Sequence, residues 1–502
     1  MLSSAFPIAQ LHTFEFVCQT MGNTLLTGAT GLVGRYLLRN LLEEGVAVTT
    51  VVRPGKLESA RERIDGLMRH WESESGYALP RPLVLEGDLC SPGLGLSAKN
   101  RRWISEHVTT MLHCGASMTF REDEQGEPFR TNVGGTENVL QLCRDTGIRQ
   151  FHHVSTCYIC GLRTGAVLES ELDLGQTLGN VYEQSKLRAE QLVRGADFLE
   201  QVTVYRPASV VGDWQTGYVT SCHGFYLPLQ LAHIVASKIH FQEMNERFIE
   251  LLGLQGDEGK NLVPVDWLAS AIVALVTDPT KHGQTYHLAS EHPVPVALIQ
   301  RFFQAAIETY HPNALRERGG EDLSAYEPLF QEYMRVYESH WRDDPKFDTT
   351  NTRTALPQLP CPTMDEDALM RIARYPVERN FQLTKYQNNE PVFNVEEHLR
   401  RILSDHPPTS TVEGAPINLQ VNGSGGGQWR LELFSGGLGS MQSGLCFQSA
   451  PNCYLTSKTM RDLAECRLTV RESIVSGRVV LEAPNGNQQQ LTDLLQQLFT
   501  SA

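Results

Sequence analysis

The sequence has few basic residues and no long hydrophobic run, and each shortage excludes a class of protein. Its 502 residues include 43 Lys and Arg against 58 Asp and Glu, a formal net charge of −15. A chain this acidic lacks the positive electrostatic field that would attract nucleic acid or an anionic membrane surface. No run reaches the roughly 18 apolar residues that indicate a transmembrane helix. The nearest, residues 225–241, is interrupted by His233, Lys238 and His240.

Cysteines spaced as a disulfide framework are also missing. The 11 cysteines are odd in number and irregularly spaced, which favours reduced thiols and a cytoplasmic protein. Cys157 and Cys160 form a C-x-x-C, but they lie in an apolar, strand-like run and not at a helix start, so we predict no redox pair. The first 20 residues lack the basic region and apolar core of a secretory signal.

The strongest positive signal is TLLTGATGLVGRYLLRNLLEEGVAVTTVVRP, residues 24–54. A short apolar strand enters a turn with three glycines, Val33, Leu37 and Leu41 then repeat at helical spacing, and a β-branched run follows. The spacing is G-x-x-G-x-x-G. Glycines at such a turn let the backbone approach a pyrophosphate, and the next helix offers its first N–H groups. The predicted dinucleotide contacts here are Gly28, Thr30, Gly31, Leu32, Val33 and Gly34.

The end of the second strand selects between the two nicotinamide cofactors. NAD enzymes place an acidic residue there for the ribose 2′-hydroxyl, whereas an arginine accommodates the extra phosphate of NADP. Here the strand ends VVRPGK, with Arg53 in the expected place and Lys56 close behind it. No acidic residue lies between Val46 and Gly55. We therefore predict NADP(H), with a solvated basic turn as the alternative interpretation.

Further strand-like segments follow at the spacing of a doubly wound sheet. They are PLVLEGDL (82–89), VTTMLHCGAS (108–117), FHHVSTCYICG (151–161) and VTVYRPASVVGD (202–213). Three further motifs lie among these segments: TGATGLVG, TNVGGT around Asn132, and YEQSK from Tyr182. All of them occur in the order found in extended short-chain dehydrogenase/reductases. Residues 22–290 therefore resemble that superfamily. The resemblance implies an α/β fold, a doubly wound parallel Rossmann sheet with a small substrate lobe, and puts Asp88 and Leu89 on the adenine side of the cofactor.

Tyr182 and Lys186, four residues apart, share a face of the predicted helix. Such pairs are common on solvated helices, so the surrounding motifs carry the functional interpretation. A phenol with a pKa of about 10 is a poor acid at neutral pH unless a cation stabilises its phenolate, and Lys186 is that cation. In the family the lysine also holds the nicotinamide ribose, and a hydroxyl shares the substrate oxygen. The pattern places that hydroxyl at Thr156, with Ser155 as the alternative; Asn132 matches a supporting position near the cofactor or is a helix cap.

Within the superfamily the chain is most similar to thioester reductases: the reductase domains of carboxylic acid reductases and nonribosomal peptide synthetases, and fatty acyl-CoA reductases. LHCGASMTF resembles their H-x-x-A-x-x-x-F loop, VSTCYICG their strand, and VVRP their arginine. The resemblance implies that NADPH delivers hydride to an acyl thioester, on CoA or an acyl carrier protein, and that an aldehyde or alcohol is released. Residues 261–276 and 283–290 are predicted to return the chain to the substrate lobe.

Two other functions stay open at this point. One is an extended reductase or epimerase acting on a nucleotide sugar or a sterol-like ketone, although the mainly apolar run 225–241 weighs against a sugar nucleotide. The other is a non-enzymatic NADP-binding or lipid-carrier protein, against which the intact Tyr182 and Lys186 weigh.

Beyond residue 290 the sequence predicts two more units. Residues 291–404 form a helical extension, and DHPPTSTVEGAP, residues 405–416, has the composition of a linker. Residues 417–502 alternate strands and helices in an order that resembles the sterol-carrier fold, which implies a lipid ligand. A small α+β domain used for packing or dimerisation is an equal alternative.

Overall fold

The computed structural model describes most of the chain after residue 22. The described residues are 23–55, 58–221, 224–235, 249–250, 253–310, 331, 334–335, 338–381, 393–405, 415–422, 425–434, 437–444, 450–475, 478–482 and 488–500. Up to residue 381 the strands and helices are, in chain order, β1 (Asn23–Thr27), α1 (Leu32–Glu43), β2 (Val48–Val52), α2 (Ala60–Ser75), β3 (Leu83–Glu86), α3 (Ala98–His107), β4 (Val108–His113), α4 (Gly135–Thr146), β5 (Gln150–Val154), β6 (Ala166–Val167), α5 (Val181–Arg194), β7 (Gln201–Pro207), β8 (Ser209–Val211), α6 (Tyr226–Val235), β9 (Gly259–Lys260), β10 (Leu262–Pro264), α7 (Val265–Val276), β11 (Thr285–Leu288), β12 (Val294–Pro295), α8 (Val296–Tyr310), β13 (Lys346–Phe347), α9 (Thr350–Ala355) and α10 (Glu366–Glu378).

Seven of these strands form one parallel sheet in the order β11-β7-β5-β4-β1-β2-β3. The chain moves outward from β1 through β2 and β3, and then outward in the opposite direction from β4. In such sheets ligands bind beyond the carboxyl ends of the strands, where the order reverses. The predicted doubly wound parallel sheet is confirmed, and its reversal point lies between β1 and β4.

Helices cover both faces of the sheet because consecutive residues of a strand point to opposite sides. In β1, Leu25 packs in a core with α3 and α4, whereas Leu26 packs in a core with α1, α2 and α7. Both leucines are fully buried. A strand buried on both faces is apolar throughout, which is why the sequence shows short apolar runs here without alternation.

A second apolar core is built by α6, α8 and α10, and it includes Phe225, Leu229 and Phe303. The predicted return of residues 261–276 and 283–290 to the substrate lobe is wrong in most of its length. Only β10 follows it, pairing with β8. Helix α7 instead packs with α1 in the core of the sheet, and β11 pairs with β7 as the edge strand. Two apolar segments look alike in sequence whichever core they join.

A buried ion pair ties α5 to the sheet. Arg206 of β7 donates from Nε and Nη2 to the two carboxylate oxygens of Glu190, at 3.1 and 2.6 Å. The Arg206 and Glu190 side chains are 1% and 0% exposed. Arg206 also donates from Nη1 to the backbone oxygen of Glu169 at 3.3 Å. Removing one partner of such a pair costs about 3–5 kcal/mol, because the other charge stays buried without compensation.

The C-terminal unit is α+β, as predicted. Its elements are α11 (Val395–Asp405), β14 (Ala415–Asn422), β15 (Gly427–Phe434), β16 (Gly437–Ser443), β17 (Asn452–Thr456), α12 (Ser457–Ala464), α13 (Val470–Val475), β18 (Val479–Glu482) and α14 (Gln488–Thr500). The five strands form a sheet in the order β16-β15-β14-β17-β18, with β14 and β17 parallel and the other pairs antiparallel. Strand β16 is missing from the sequence prediction.

Helix α11 lies in the predicted helical extension but packs with the C-terminal sheet. Its Leu399 and Ile402 share a core with Ile417, Leu431 and Leu495. Residues 406–414 of the predicted linker lie outside the described residues. The limits 22–290, 291–404 and 417–502 stay predictions, as does the lipid ligand. Across the described residues, no helix combines the length and apolarity needed to cross a membrane.

Candidate active site

The turn between β1 and α1 is packed too closely for side chains. A Cβ on Gly34 would lie 2.0 Å from the Gly28 carbonyl oxygen, and one on Gly28 would lie 2.6 Å from the Gly115 nitrogen after β4. Gly28 has a φ of +77°, which also favours glycine. Helix α1 follows with no side-chain cap at Gly31. Its first N–H groups and its positive dipole end are thus available to an anion, so these residues fit a dinucleotide pyrophosphate.

A cavity of about 880 Å³ opens beside this turn. It brings together nearly all the residues predicted for cofactor binding and catalysis. The predicted residues that line it are Gly28, Thr30, Gly31, Leu32, Val33, Gly34, Arg53, Asp88, Leu89, Ser155, Thr156, Tyr182 and Lys186. Lys56 lies outside the described residues.

Asn132 is the predicted cofactor residue that does not line this cavity. It lies in a short π-helical turn before α4 and is 2% exposed. Its Oδ1 accepts from the Ser117 backbone N–H at 2.7 Å, and its Nδ2 donates to the Ser185 hydroxyl at 2.9 Å. The side chain therefore joins the loop after β4 to α5. These bonds differ from those of a helix cap, and the supporting role of Asn132 near the cofactor stays a prediction.

Helix α5 brings Tyr182 and Lys186 to the cavity. Asn180 begins the helix, since its side chain accepts from the Glu183 backbone N–H at 3.0 Å. The Tyr182 hydroxyl makes no hydrogen bond to any described residue, while Lys186 Nζ donates to the Val154 carbonyl at 2.7 Å. The hydroxyl of Tyr182 is thereby left for a ligand.

Burial controls the protonation of both groups. It raises the pKa of Tyr182 above its ordinary 10, and nearby Glu183 and Cys114 raise it further. Burial lowers the pKa of Lys186 to about 8, opposed by Cys114 and Glu190. The expected lowering of the Tyr182 pKa by Lys186 is not observed. Burial therefore favours the protonated form of Tyr182 over the phenolate.

The two candidate hydroxyls lie just beyond β5. The strand ends at Val154, earlier than predicted, because Thr156 begins a short 3₁₀ turn over Cys157–Cys160. Thr156 Oγ1 accepts from the Tyr158 N–H and donates to the Pro207 carbonyl, both at 3.3 Å. These long bonds are readily exchanged for a ligand. Ser155 Oγ is buried without a hydrogen bond in the described part of the chain.

Arg63 is a cavity residue that the sequence analysis missed. It lies in α2, where Ser59 and Glu62 form a capping box that starts the helix. Its Nη2 donates to the Thr30 hydroxyl at 3.0 Å, and its Nη1 donates to the backbone oxygen of Arg53. Burial and then the like charge of Arg53 lower the pKa of Arg63. The Arg63 guanidinium thus lies at the end of β2, near enough to Arg53 for the two charges to interact. The S-x-x-E pattern from Ser59 to Glu62 is the sequence signal that could have located this helix start.

The opposite part of the cavity is mainly aromatic and apolar. Phe120 stacks on Tyr182 with ring centroids 5.4 Å apart. Tyr158, Ala208 and Phe225 also line the cavity and are buried. Such a site can hold an apolar substrate with its carbonyl at the Tyr182 hydroxyl, and when bound the nicotinamide supplies the hydride.

Residues 26–272 match the NAD-binding family described as male sterility protein. The nonribosomal peptide synthetase asaC of Aspergillus flavus is 26% identical over 394 residues, which cover 71% of this chain and 36% of that protein. The fatty acyl-CoA reductase wat of Drosophila melanogaster is 24% identical over 293 residues, which cover 50% of this chain and 53% of that protein. The terminal R domain from the myxalamid PKS-NRPS biosynthetic pathway superposes with a TM-score of 0.57 at 26% identity, covering 72% of this chain and 91% of that chain.

The sheet, the glycine turn and the cavity together have the arrangement of a dinucleotide-binding Rossmann fold, and residues 26–272 match the NAD-binding family. Among these proteins the chain is similar to a peptide synthetase, a fatty acyl-CoA reductase and a terminal R domain. The chain spans about a third of the length of the peptide synthetase and about half of the length of the fatty acyl-CoA reductase.

Replacing Tyr182 with Phe tests its assignment as proton donor. The change removes the hydroxyl but little volume, so turnover should fall by about 10²–10⁴-fold, the usual contribution of a general acid, while cofactor still binds. The measurements are NADPH oxidation with a carbonyl substrate and cofactor binding by fluorescence. Tyr158→Phe is the matched control, because its hydroxyl also lies at this cavity but donates to Asp344 at 3.0 Å. Equal losses in the two variants would contradict the assignment.

The pH dependence tests Lys186. If its charge assists reduction, kcat/KM should fall as pH rises through about 8, where the ammonium loses its proton. A Lys186→Arg variant keeps its charge over this range, so whatever activity remains should lose this limb of the profile. If kcat/KM falls in the same pH range in the unaltered protein and in Lys186→Arg, the titrating group is not Lys186.

Proposed function

We propose that the protein is an NADPH-dependent reductase of an acyl thioester, carried on CoA or an acyl carrier protein, which releases an aldehyde or continues to the alcohol. One observation carries the proposal: the buried, unbonded Tyr182 hydroxyl lies in one cavity with the glycine turn and an aromatic, apolar wall. The relatives, a peptide synthetase and a fatty acyl-CoA reductase, support the thioester as substrate.

In this proposal the chain's own residues hold the carbonyl and supply a proton. Tyr182 donates to the oxygen that becomes negative as hydride arrives, and Thr156 donates a second hydrogen bond after releasing the Pro207 carbonyl. Lys186, held by the Val154 carbonyl, would bind the cofactor ribose and supply a positive charge to the same cavity. Phe120 shields the phenol from water. Desolvation strengthens each of these interactions in the closed cavity.

The two alternatives are less well supported. A nucleotide sugar would need charged or polar groups for its phosphates and hydroxyls, but the described part of the run 225–241, residues 225–235, contributes Phe225 and Tyr226 to the cavity. A binding protein without activity would not need a tyrosine hydroxyl left unbonded in a buried site. A sterol-like ketone is the stronger competitor, because it would also suit an apolar wall.

A substrate panel tests the proposal directly. The full chain with NADPH should oxidise the cofactor in the presence of acyl-CoAs and release aldehyde or alcohol, in a ratio to NADPH that shows whether one or two hydrides are transferred. Nucleotide sugars and ketosteroids at the same concentration should be turned over far less. Tyr182→Phe serves as the blank. Oxidation with a ketosteroid and not with any acyl-CoA would overturn the proposal.

The preference for NADPH rests on Arg53 and Arg63, whose guanidinium groups can form charge-assisted hydrogen bonds with the 2′-phosphate. Arg53→Ala and Arg63→Ala should each raise the KM for NADPH by about tenfold or more, since one such bond contributes about 1.5–3 kcal/mol. The KM for NADH should change little. Kinetics with both cofactors give the comparison.

Arg61→Ala is the matched control for these variants. Arg61 lies in α2 too, but it pairs with Asp65 at 3.3 Å and does not line the cavity. Its removal should leave both KM values near those of the unaltered protein. Equal losses for NADPH and NADH in Arg53→Ala would contradict the assignment.

A further inference from the structure

The cavity wall beside Tyr158 carries a polar pair, Ser209 and His340. Ser209 Oγ and His340 Nε2 are 3.5 Å apart, at the outer limit of a hydrogen bond. Neither Ser209 Oγ nor His340 Nδ1 makes another hydrogen bond within the described residues. Both side chains therefore have capacity for a ligand in the part of the cavity that also carries Tyr158, Ala208 and Phe225.

The loop that carries His340 is fixed firmly in place. Lys260 Nζ donates to the His340 backbone oxygen at 2.5 Å and forms an ion pair with Asp344 at 2.7 Å. The side chains of this pair are 2% and 1% exposed. Ser339 accepts from Asn180 at the start of α5 at 3.0 Å. The imidazole is thus held in a fixed relation to the helix that carries Tyr182.

His340 is neutral at physiological pH. Burial, and after it the positive charges of Lys260 and Arg342, lower its pKa well below 6.5. A neutral imidazole has one N–H donor and one acceptor nitrogen, and a serine hydroxyl both donates and accepts. The pair suits a neutral hydrogen-bonding group rather than a phosphate or a carboxylate.

The rings around His340 place it near Tyr182, where the carbonyl of the proposed substrate would lie. Its ring centroid is 5.5 Å from that of Tyr158 and 6.1 Å from that of Phe120, and Phe120 stacks on Tyr182. Met118, which is 49% exposed, marks the open side, whereas Ser209 is 8% exposed. A thioester whose carrier arm leads to solvent presents its acyl chain to the closed side.

We infer that Ser209 and His340 bind a neutral hydroxyl or amide substituent on the acyl chain, so that the enzyme prefers a polar acyl thioester to a plain hydrocarbon one. The inference rests on the proposed thioester reduction. A plain chain would remove water from both groups and give no hydrogen bond in return, which disfavours that substrate.

The experiment compares octanoyl-CoA with its 3-hydroxy and 5-hydroxy derivatives and with an acetamido derivative of similar length. The full chain and NADPH are used, and kcat/KM is measured for each. At least one polar derivative should be preferred by about tenfold or more, as expected for a site that pairs a substrate hydroxyl or amide. His340→Phe should abolish that preference, and Ser209→Ala should reduce it.

Val210→Ala is the matched control, because Val210 lines the same cavity with an apolar side chain. It should change kcat/KM for plain and polar chains by the same factor. A polar preference that is absent from the unaltered protein overturns the inference. A polar preference that survives in both His340→Phe and Ser209→Ala also overturns it. If His340→Phe does not fold, an unchanged polar preference in Ser209→Ala is sufficient to overturn the inference.

S-Ethyl thioesters of the same acids, which lack the amides of the carrier arm, separate two sources of the hydrogen bond. If His340→Phe lowers kcat/KM for every CoA thioester by the same factor and for no S-ethyl thioester, the pair binds the carrier arm. That result would overturn the inference. Turnover of ketones but of no thioester would overturn the proposed function itself, and this inference with it.

Discussion

The buried contact between Glu190 and Arg206 determines where the reactive groups lie. Tyr182, Lys186 and Glu190 follow one another at four-residue intervals, so they share a face of α5. The third of them is clamped to β7 by two hydrogen bonds from a guanidinium that is itself 1% exposed. Because neither charge can return to water without unfolding this region, the helix cannot slide along the sheet. The tyrosine and the lysine, two turns and one turn earlier, are thereby held at the carboxyl ends of the strands.

That position has an electrostatic consequence. Burial favours the neutral form of each group, so it raises the pKa of Tyr182 and lowers that of Lys186 to about 8. Without a ligand the site contains a strongly held phenolic proton and an ammonium that is close to losing its own. A developing oxyanion would reverse this balance by accepting the phenolic proton. Lys186 would then lie beside a negative charge, which would favour its own positive form.

The cavity is also completed by residues distant in sequence. His340 comes from a loop beyond the segment that matches the family, and it is fixed by the buried Lys260–Asp344 pair and by Asn180. The cofactor half of the cavity is local, built largely from β1, α1 and β2. The part around His340 depends on contacts between residues more than a hundred positions apart, such as Ser209 with His340 and Tyr158 with Asp344.

The sequence alone determined the parallel sheet, the glycine turn and the positions of Arg53, Tyr182 and Lys186, because each depends on local spacing. Glycines before an amphipathic helix, and a tyrosine one turn before a lysine, keep their meaning wherever the rest of the chain goes. Only the tertiary structure decided that α7 and β11 complete the sheet layer, that α11 joins the C-terminal core, and that Arg63 meets Arg53. It alone placed Tyr182 where burial raises its pKa, and Ser209 beside His340. These are properties of long-range packing: the burial of a charge and the pairing of distant side chains arise from which elements come together, and no local pattern of residues encodes that.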